Sequence, residues 1–243
     1  VEAAITERTA ALFWPVLDTP GTLSLPEMAE IAHSHGLPVI VDASAALPPR
    51  SNLKRFIAEG ADLVVYSGGK AIGGPQASGI LAGRADLVAS VSLQQLDLDV
   101  RLPTWTRRVQ VEAGELRGIP HHGIGRSSKV GREEIAGLIV ALRRYVAGDE
   151  AAERALWEAM LGEIAAPLRE IAGVAVRCED RAVPLLSIDL DPEIVGFTAY
   201  EALNRLMDGE PAVALAESRA EFDTLMVNPV ALGDDDVEIV RDR

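Results

Sequence analysis

Short apolar runs and amphipathic stretches alternate along the first half of the chain. The runs Ala10–Trp14, Pro38–Val41 and Leu63–Tyr66 contain no charged residue, which is typical of parallel strands that are covered on both faces. Between them, apolar residues recur at the three- and four-residue spacing of a helix within residues 25–32 and 53–57. This order predicts a β-α-β-α-β arrangement, and therefore an α/β fold with a doubly wound, mostly parallel sheet.

Local signals mark the ends of the two predicted helices. Ser24 is followed three residues later by Glu27, which predicts a capping box, and the proline between them suits a first helical turn. Gly36 follows the last apolar position of the first helix. The second helix is expected to begin at a Ser51 cap and to end at Gly60.

The pattern changes in the second half of the chain. The segment Arg101–Arg132 is rich in Pro, Gly and Arg, and its apolar residues show no regular spacing. In contrast, Glu133–Val146 is strongly amphipathic. Further helices and short apolar runs follow, among them a predicted strand at Ala212–Leu215. We therefore predict a first domain over 1–110, a linker with binding loops over 111–132, and a smaller α+β domain over 133–243.

Acidic residues outnumber basic ones in this chain. The 37 Asp and Glu against 23 Lys and Arg give a net charge of −14. Such a chain repels phosphate backbones and anionic membranes, so we expect no nucleic-acid partner and no membrane partner. The single cysteine, Cys178, excludes an internal disulfide framework and a cysteine-rich zinc site. No apolar run reaches membrane-spanning length, and we predict a soluble, cytoplasmic protein.

Two candidate ligand motifs lack necessary members. His121 and His122 form a pair without further spaced ligands, so we expect no metal site. The run Gly123-Ile124-Gly125-Arg126 begins like a dinucleotide-binding fingerprint, but Ser128 stands in place of its third glycine and no strand precedes it.

Asp42 and Lys70 each follow a short apolar strand. Because the carboxyl ends of parallel strands open onto the ligand crevice, an acid and an amine there could face one ligand. Taken singly, Asp42 is more simply a turn cap, and Lys70 a surface lysine in a glycine-rich loop. The chain has three lysines against twenty arginines, however, so the lysine between Gly69 and Ala71 points to an amine that must lose its proton.

Three motifs surround these two residues. They are Val41-Asp42-Ala43, Tyr66-Ser67-Gly68-Gly69-Lys70, and Gly73-Gly74-Pro75-Gln76 followed by Ser78-Gly79. Together they resemble the pyridoxal-phosphate (PLP) enzymes of the aspartate-aminotransferase fold, fold type I. Within that fold the chain is most similar to the selenocysteine synthase (SelA)-like group, which includes the D-glucosaminate-6-phosphate ammonia-lyases. The segment from Gly123 to Ile135 also resembles the ammonia-lyase branch.

The resemblance implies a PLP cofactor and assigns roles around it. Lys70 would hold the cofactor as an internal Schiff base and later transfer the α-proton. Asp42 would pair with the pyridinium nitrogen and keep it protonated, and Ser67 would donate to the cofactor phosphate. Residues 1–110 would then be the C-terminal part of the PLP-binding large domain.

The resemblance also names candidate substrate contacts. Gln76 lies in the loop after the lysine and is expected close to the substrate. His122 and Arg126 are candidate contacts with an anionic substrate group. That Arg126 instead pairs with an acidic neighbour is an equally open alternative.

The function that the resemblance implies is a PLP-dependent lyase, which eliminates ammonia or another β-substituent from an amino acid or amino-sugar acid. The alternatives are L-seryl-tRNA(Sec) selenium transferase, or an inactive fragment or regulatory relic of the fold. Asp97 and Asp99 stand where selenium transferases carry arginines suited to an anionic selenium donor. These acids favour the lyase.

The chain opens at Val1 without a methionine and reaches its first strand almost at once. We therefore expect an N-terminal truncation, and the resemblance implies that the absent part carries the phosphate-cradling helix start and the residue stacked on the pyridine ring. The chain alone is expected to be inactive. Because similar enzymes build their active sites across a two-fold interface, the whole protein is expected to be a homodimer or a higher homo-oligomer.

Overall fold

The computed structural model of the chain divides into two compact units, Val1–Gly148 and Asp149–Arg243. It describes residues 1–17, 21–96, 99–120, 122–233 and 235–243. Asp97 of the acidic segment and His121 of the histidine pair lie outside the described residues.

The first unit contains a four-stranded sheet. Its strands are β1 (Leu12–Pro15), β2 (Val39–Asp42), β3 (Leu63–Ser67) and β4 (Gly79–Gly83). They lie in the order β1-β2-β3-β4, in which the first three run parallel and β4 pairs antiparallel with β3. The three predicted apolar runs form the parallel strands, so the α/β class and the mostly parallel sheet are confirmed.

The helices α1 (Leu25–Ser34) and α2 (Asn52–Ala58) connect the parallel strands. The Ser24 side chain accepts a hydrogen bond from the Glu27 N–H, and the Glu27 carboxylate accepts from the Ser24 N–H at 2.8 Å. The predicted capping box is therefore present. Ser51 occupies the N-cap of α2 without a side-chain capping bond.

Both helices cover the same face of the sheet, as successive right-handed crossovers in one direction require. The core on this face contains Leu25, Val39, Val41, Phe56, Val64 and Tyr66. The register pairs Phe13 with Ile40 and Asp42 with Val65, and strand alternation puts these four side chains on the opposite face. Phe13 is 60% and Val65 38% exposed. We call this second face the open face.

The rest of the first unit contains α3 (Ala85–Gln94), α4 (Arg108–Glu112) and α5 (Arg132–Ala147). The segment Arg101–Arg132, whose apolar residues show no regular spacing, contains α4 and short 3-10 turns at Leu102–Thr104 and Ile124–Ser128. The helix α5 belongs to the first unit, whereas residues from 133 onward were predicted to form the second domain. An amphipathic pattern predicts a helix but does not say against which partner it packs.

The second unit is an α+β arrangement. Its elements are α6 (Glu150–Leu168), β5 (Val174–Glu179), β6 (Leu185–Leu190), α7 (Pro192–Val195), α8 (Ala199–Met207), β7 (Thr224–Val227) and α9 (Asp236–Arg241). The strands form an antiparallel sheet in the order β5-β6-β7. Leu161 and Ile164 of α6 are buried against Leu186 and Ile188 of β6. The predicted small α+β fold is confirmed for this unit.

The predicted strand at Ala212–Leu215 is wrong. The Val213 N–H donates to the Leu206 carbonyl of α8 at 2.9 Å, so it does not donate to a neighbouring strand. The following residues meet β7 through an isolated bridge between Ala216 and Met226. A hydrogen bond to a helix end has replaced the ladder that a strand needs.

Candidate active site

Asp42 is the last residue of β2 and lies at the carboxyl edge of the parallel strands. Its main chain is anchored to both neighbours, because Val16 N donates to Asp42 O at 3.0 Å and Ala43 N donates to Val65 O at 2.9 Å. The Ser44 N–H donates to Asp42 Oδ1 at 2.9 Å. These bonds fix the half-buried carboxylate at the sheet edge, on the open face.

Lys70 lies in the connection between β3 and β4, which we call the lysine loop (Gly68–Ser78). The Gly68 N–H donates to the Ser78 carbonyl at 2.9 Å and closes the base of the loop. The Gly73 N–H donates to the Lys70 carbonyl at 2.8 Å, so a tight turn follows the lysine directly. The Lys70 side chain is exposed.

Glycines allow the lysine loop to lie close against α5. A Cβ atom at Gly68 would lie 2.9 Å from Leu138 Cδ1 of α5 and would overlap the Ser78 hydroxyl. A Cβ atom at Gly74 would lie 3.2 Å from the same Leu138 carbon. The glycines of the Lys70 motif are thus explained by close packing, and α5 forms a wall behind the loop.

The segment that follows Asp42 is also attached to α5. Arg50 Nε donates to the Tyr145 carbonyl at 2.6 Å, and the Arg50 guanidinium lies 4.8 Å from the centre of the Tyr145 ring. One helix therefore contacts both segments that carry the candidate residues. Leu138 and Tyr145 could not be identified from the sequence as supports of the site, because the amphipathic pattern of α5 shows only which residues are apolar.

Ser67 is the last residue of β3, where it pairs with Gly79 of β4. It lies two residues after Val65, and so on the same face of the sheet as Asp42. The side chain is half-buried. The structure therefore brings Asp42, Ser67 and the start of the lysine loop to one edge of the sheet.

Gln76 contacts the lysine loop itself. Its Nε2 donates to the Gly69 carbonyl at 2.9 Å. A Cβ atom at Gly69 would lie 2.7 Å from Gln76 Cδ, so the amide side chain lies directly on this glycine. A contact of Gln76 with the substrate stays a prediction, and the structure places its side chain against the residue before Lys70.

His122 and Arg126 lie in an exposed segment that the structure holds against α3. The Gly123 N–H donates to the Leu96 carbonyl at 3.0 Å. A Cβ atom at Gly123 would overlap the Gln94 carbonyl at the end of α3. Both predicted side chains are exposed, and their contact with a substrate stays a prediction.

The electrostatic surroundings keep Asp42 ionised. Hydrogen bonds from Ser44 lower the pKa of Asp42 below its ordinary value, and partial burial opposes them. The positive charge of Lys70 lowers the pKa of Asp42 further. The site therefore holds a carboxylate and a primary amine that interact across neighbouring strands.

This combination can bind a ligand with both a basic ring nitrogen and a carbonyl group. A carboxylate accepts a charge-assisted hydrogen bond from the protonated nitrogen. An accessible lysine amine adds to a carbonyl carbon. The Ser67 hydroxyl, on the same face, can donate to an anionic group.

The second unit offers a cavity but no comparable chemistry. The cavity measures about 640 Å³ and is lined by core side chains of α6, α8 and the sheet, with Arg205 and Arg243 as its charged residues. It has no acid–base pair and no nucleophile among its lining residues. Within the described residues, no cluster of His, Cys, Asp and Glu could hold a metal ion, and no helix is long and apolar enough to cross a membrane.

Comparison with known proteins finds a family model that matches part of the chain and two relatives that match nearly all of it. Residues 2–106 match the SelA family model, described as L-seryl-tRNA selenium transferase. The chain is 32% identical over 248 residues to a 5'-C-glycyluridine monooxygenase-decarboxylase of Streptomyces sp, covering 99% of the chain and 54% of the relative. It is 26% identical over 247 residues to the D-glucosaminate-6-phosphate ammonia lyase of Salmonella typhimurium, covering 99% and 58%. The chain thus spans about half the length of these relatives.

Solved structures show the same relationship. The structure of D-glucosaminate-6-phosphate ammonia-lyase superposes with a TM-score of 0.71 at 25% identity, over 99% of this chain and 58% of that one. A structure described as SPT with a PLP internal aldimine superposes with a TM-score of 0.52 at 17% identity, over 99% and 55%, and supports the fold alone. The predicted type I fold and the resemblance to the SelA-like group are confirmed.

Proposed function

From the homology of this chain to the SelA-like enzymes of fold type I, we propose that the protein is a PLP-dependent lyase. It eliminates ammonia or another β-substituent from an amino acid or amino-sugar acid. The observation that carries the proposal is the placement of Asp42 and Lys70 at one sheet edge, where the lysine charge reaches the carboxylate. The similarity to an ammonia lyase over 99% of the chain supports the reaction type.

The residues at the sheet edge fit the cofactor that the fold implies. Asp42 has a lowered pKa, so it is ionised at neutral pH and suits a protonated pyridine nitrogen. Lys70 is exposed and accessible to an aldehyde. Ser67 lies on the same face as Asp42, which suits a donor to the phosphate group.

Each residue then has a defined task. When bound, PLP supplies an electron-accepting ring that stabilises negative charge on the carbon bearing the amino group. Asp42 keeps the ring nitrogen protonated through a charge-assisted hydrogen bond. Lys70 Nζ holds the cofactor between turnovers and takes the proton from the substrate α-carbon. Ser67 anchors the phosphate and so sets the position of the cofactor on the sheet edge.

Selenium transfer to a seryl-tRNA is the second candidate, favoured by the family model that matches residues 2–106. The net charge of −14 counts against it, because a tRNA and an anionic selenium donor would both be repelled. Asp99 adds a carboxylate to the segment after α3. The Streptomyces relative is named a monooxygenase-decarboxylase, and a reaction of that kind would consume dioxygen and release carbon dioxide instead of ammonia.

The remaining roles concern the substrate and assembly. His122 and Arg126 would contact an anionic group of the substrate, since both are exposed polar side chains. The whole protein would be a cytoplasmic homodimer or higher homo-oligomer. No nucleic acid and no membrane would be partners, as the acidic charge implies.

The proposal is tested by locating the cofactor on the protein. The full-length protein should bind PLP with a visible absorption band that borohydride abolishes, and peptide mapping should find the reduced label on Lys70. Lys70→Ala should remove the label, because it removes the amine at the sheet edge. Lys54→Ala is the matched control, since Lys54 is an exposed lysine of α2, and it should keep the label.

The reaction is tested on the same preparation. Glucosaminate 6-phosphate and related amino acids should yield a keto acid and ammonia in equal amounts. A label on Lys54 or Lys129, or no label at all, would contradict the cofactor assignment. Formation of selenocysteinyl-tRNA, or release of carbon dioxide without ammonia, would replace the lyase by one of the other two reactions.

A further inference from the structure

The lysine loop contains four glycines, at positions 68, 69, 73 and 74. Glycine loses more conformational freedom on folding than any other residue. A loop of this composition does not hold Lys70 in one position by its own backbone preferences. Contacts from other groups must fix the lysine main chain.

Gln76 makes such a contact directly before Lys70. Its Nε2 donates to the Gly69 carbonyl at 2.9 Å. This carbonyl belongs to the peptide group that joins Gly69 to Lys70, so the hydrogen bond holds the plane of that peptide. Gln76 Cδ and Oε1 would each lie 2.7 Å from a Cβ atom at Gly69, which shows that the side chain packs on the glycine.

A second hydrogen bond holds the peptide group after Lys70. The Lys70 carbonyl accepts from the Gly73 N–H at 2.8 Å. With one peptide plane fixed on each side, both backbone dihedrals of Lys70 are set. The direction of its Cα–Cβ bond follows from these dihedrals, so the side chain starts from a fixed point and in a fixed direction.

We propose that Gln76 is a positioning residue for Lys70. This proposal rests on the cofactor role proposed for that lysine. Gln76 acts through the Gly69–Lys70 peptide and does not contact the substrate. Its amide is suited to this task, because the NH₂ group donates to the Gly69 carbonyl while the amide carbon and oxygen lie against Gly69. A carboxylate of the same length would place an acceptor against an acceptor.

The experiment measures loop opening and cofactor binding separately. Gln76→Ala and Gln76→Glu are compared with wild type, each in the full-length protein, by hydrogen exchange of the peptide that spans residues 66–79, without added cofactor. Loss of one hydrogen bond should speed exchange at the Gly73 and Gly74 amides about fivefold. The PLP dissociation constant of the full-length protein, measured by absorbance, should rise by about the same factor.

Gln95→Ala is the matched control. The Gln95 side chain is exposed and also packs on a glycine, Gly125, in a different segment. It should leave both readouts unchanged.

The outcomes separate this proposal from the proposed function. Exchange and PLP affinity within twofold of wild type in both Gln76 variants would overturn the positioning role. Normal exchange and affinity with a raised KM would assign Gln76 to the substrate, which also overturns it. A wild-type protein that does not bind PLP at Lys70 would refute the proposed function, while faster exchange in the Gln76 variants would still show that this amide holds the loop.

Discussion

Glu179, at the end of β5, shows how strongly one side chain can depend on its folded surroundings. Nη1 and Nη2 of Arg219 donate to its carboxylate, Ser187 Oγ donates at 2.7 Å, and Arg181 Nε lies 2.9 Å away. The Arg219 and Ser187 hydrogen bonds lower the pKa of Glu179 to about 2 from an ordinary 4.5, against burial, which raises it. A depressed pKa of this kind stabilises the fold above pH 4.5, and the contribution is lost as the pH falls towards 2.

Glu179→Gln tests this residue. It should lower the free energy of unfolding by about 2 kcal/mol at pH 7, because charge-assisted hydrogen bonds are lost. The difference from wild type should shrink as the pH falls from 4.5 to 2, where the native carboxyl group is also neutral. Denaturant unfolding of both proteins at several pH values measures this difference in the free energy of unfolding. Glu158→Gln, which removes an exposed pair with Arg154, is the control and should cost less than about 1 kcal/mol at every pH. A stability difference between wild type and Glu179→Gln that does not change with pH would contradict the ionic explanation.

At the scale of elements, α5 supports the lysine loop through its apolar side. Leu138→Ala should destabilise the first unit by about 2 kcal/mol, at the low end for a leucine because the side chain is half-buried. It should also weaken PLP binding, since the loop loses the wall behind Gly68 and Gly74. The matched control is Ile139→Ala, one position further along α5 and 46% exposed, with an expected change below about 1 kcal/mol. Equal effects of the two substitutions would show that α5 does not support the loop in this way.

Elements with strong local signals could be predicted from the sequence, and those that depend on a distant partner could not. The parallel strands were predictable because each is a continuous apolar run, and α1 because Ser24 and Glu27 satisfy its first turn. The run Ala212–Leu215 has the same local character but gives its Val213 donor to α8, a choice that only the folded chain reveals.

In the candidate site, too, some residues could be predicted from the sequence and some contacts could not. Asp42 and Lys70 stood out because each follows a strand whose end could be predicted. The Gln76 contact with Gly69 depends on how the loop folds back on itself, and the packing of Leu138 on Gly68 joins residues far apart in sequence. Neither contact leaves a period or a motif that a single sequence displays.

At the scale of the whole molecule, the open face and the edge strand β1 should govern the behaviour of the isolated chain. Phe13 and Leu17 are 60% and 59% exposed, and Val65 is 38% exposed. An edge strand beside exposed apolar side chains favours association with other copies. We expect the isolated chain to self-associate at micromolar concentration, as light scattering would measure.

Polar substitutions should reduce this association. Phe13→Ser combined with Val65→Thr removes apolar surface from the open face and should lower the scattering mass towards that of a monomer. Phe222→Ser is the control, because Phe222 is 72% exposed but lies in the second unit, and it should leave the mass unchanged. A monodisperse monomer for the unmodified chain would refute the expectation.

The packing of α5 on the lysine loop also imposes an order in time during synthesis. Lys70 leaves the ribosome well before Leu138, and at roughly 5–20 residues per second the delay is several seconds. During that interval β3 and β4 can pair, because their contacts are local in sequence. The loop between them gains its supporting wall only when α5 emerges. The Lys70 amine is therefore exposed on the nascent chain before α5 supports the loop that carries it.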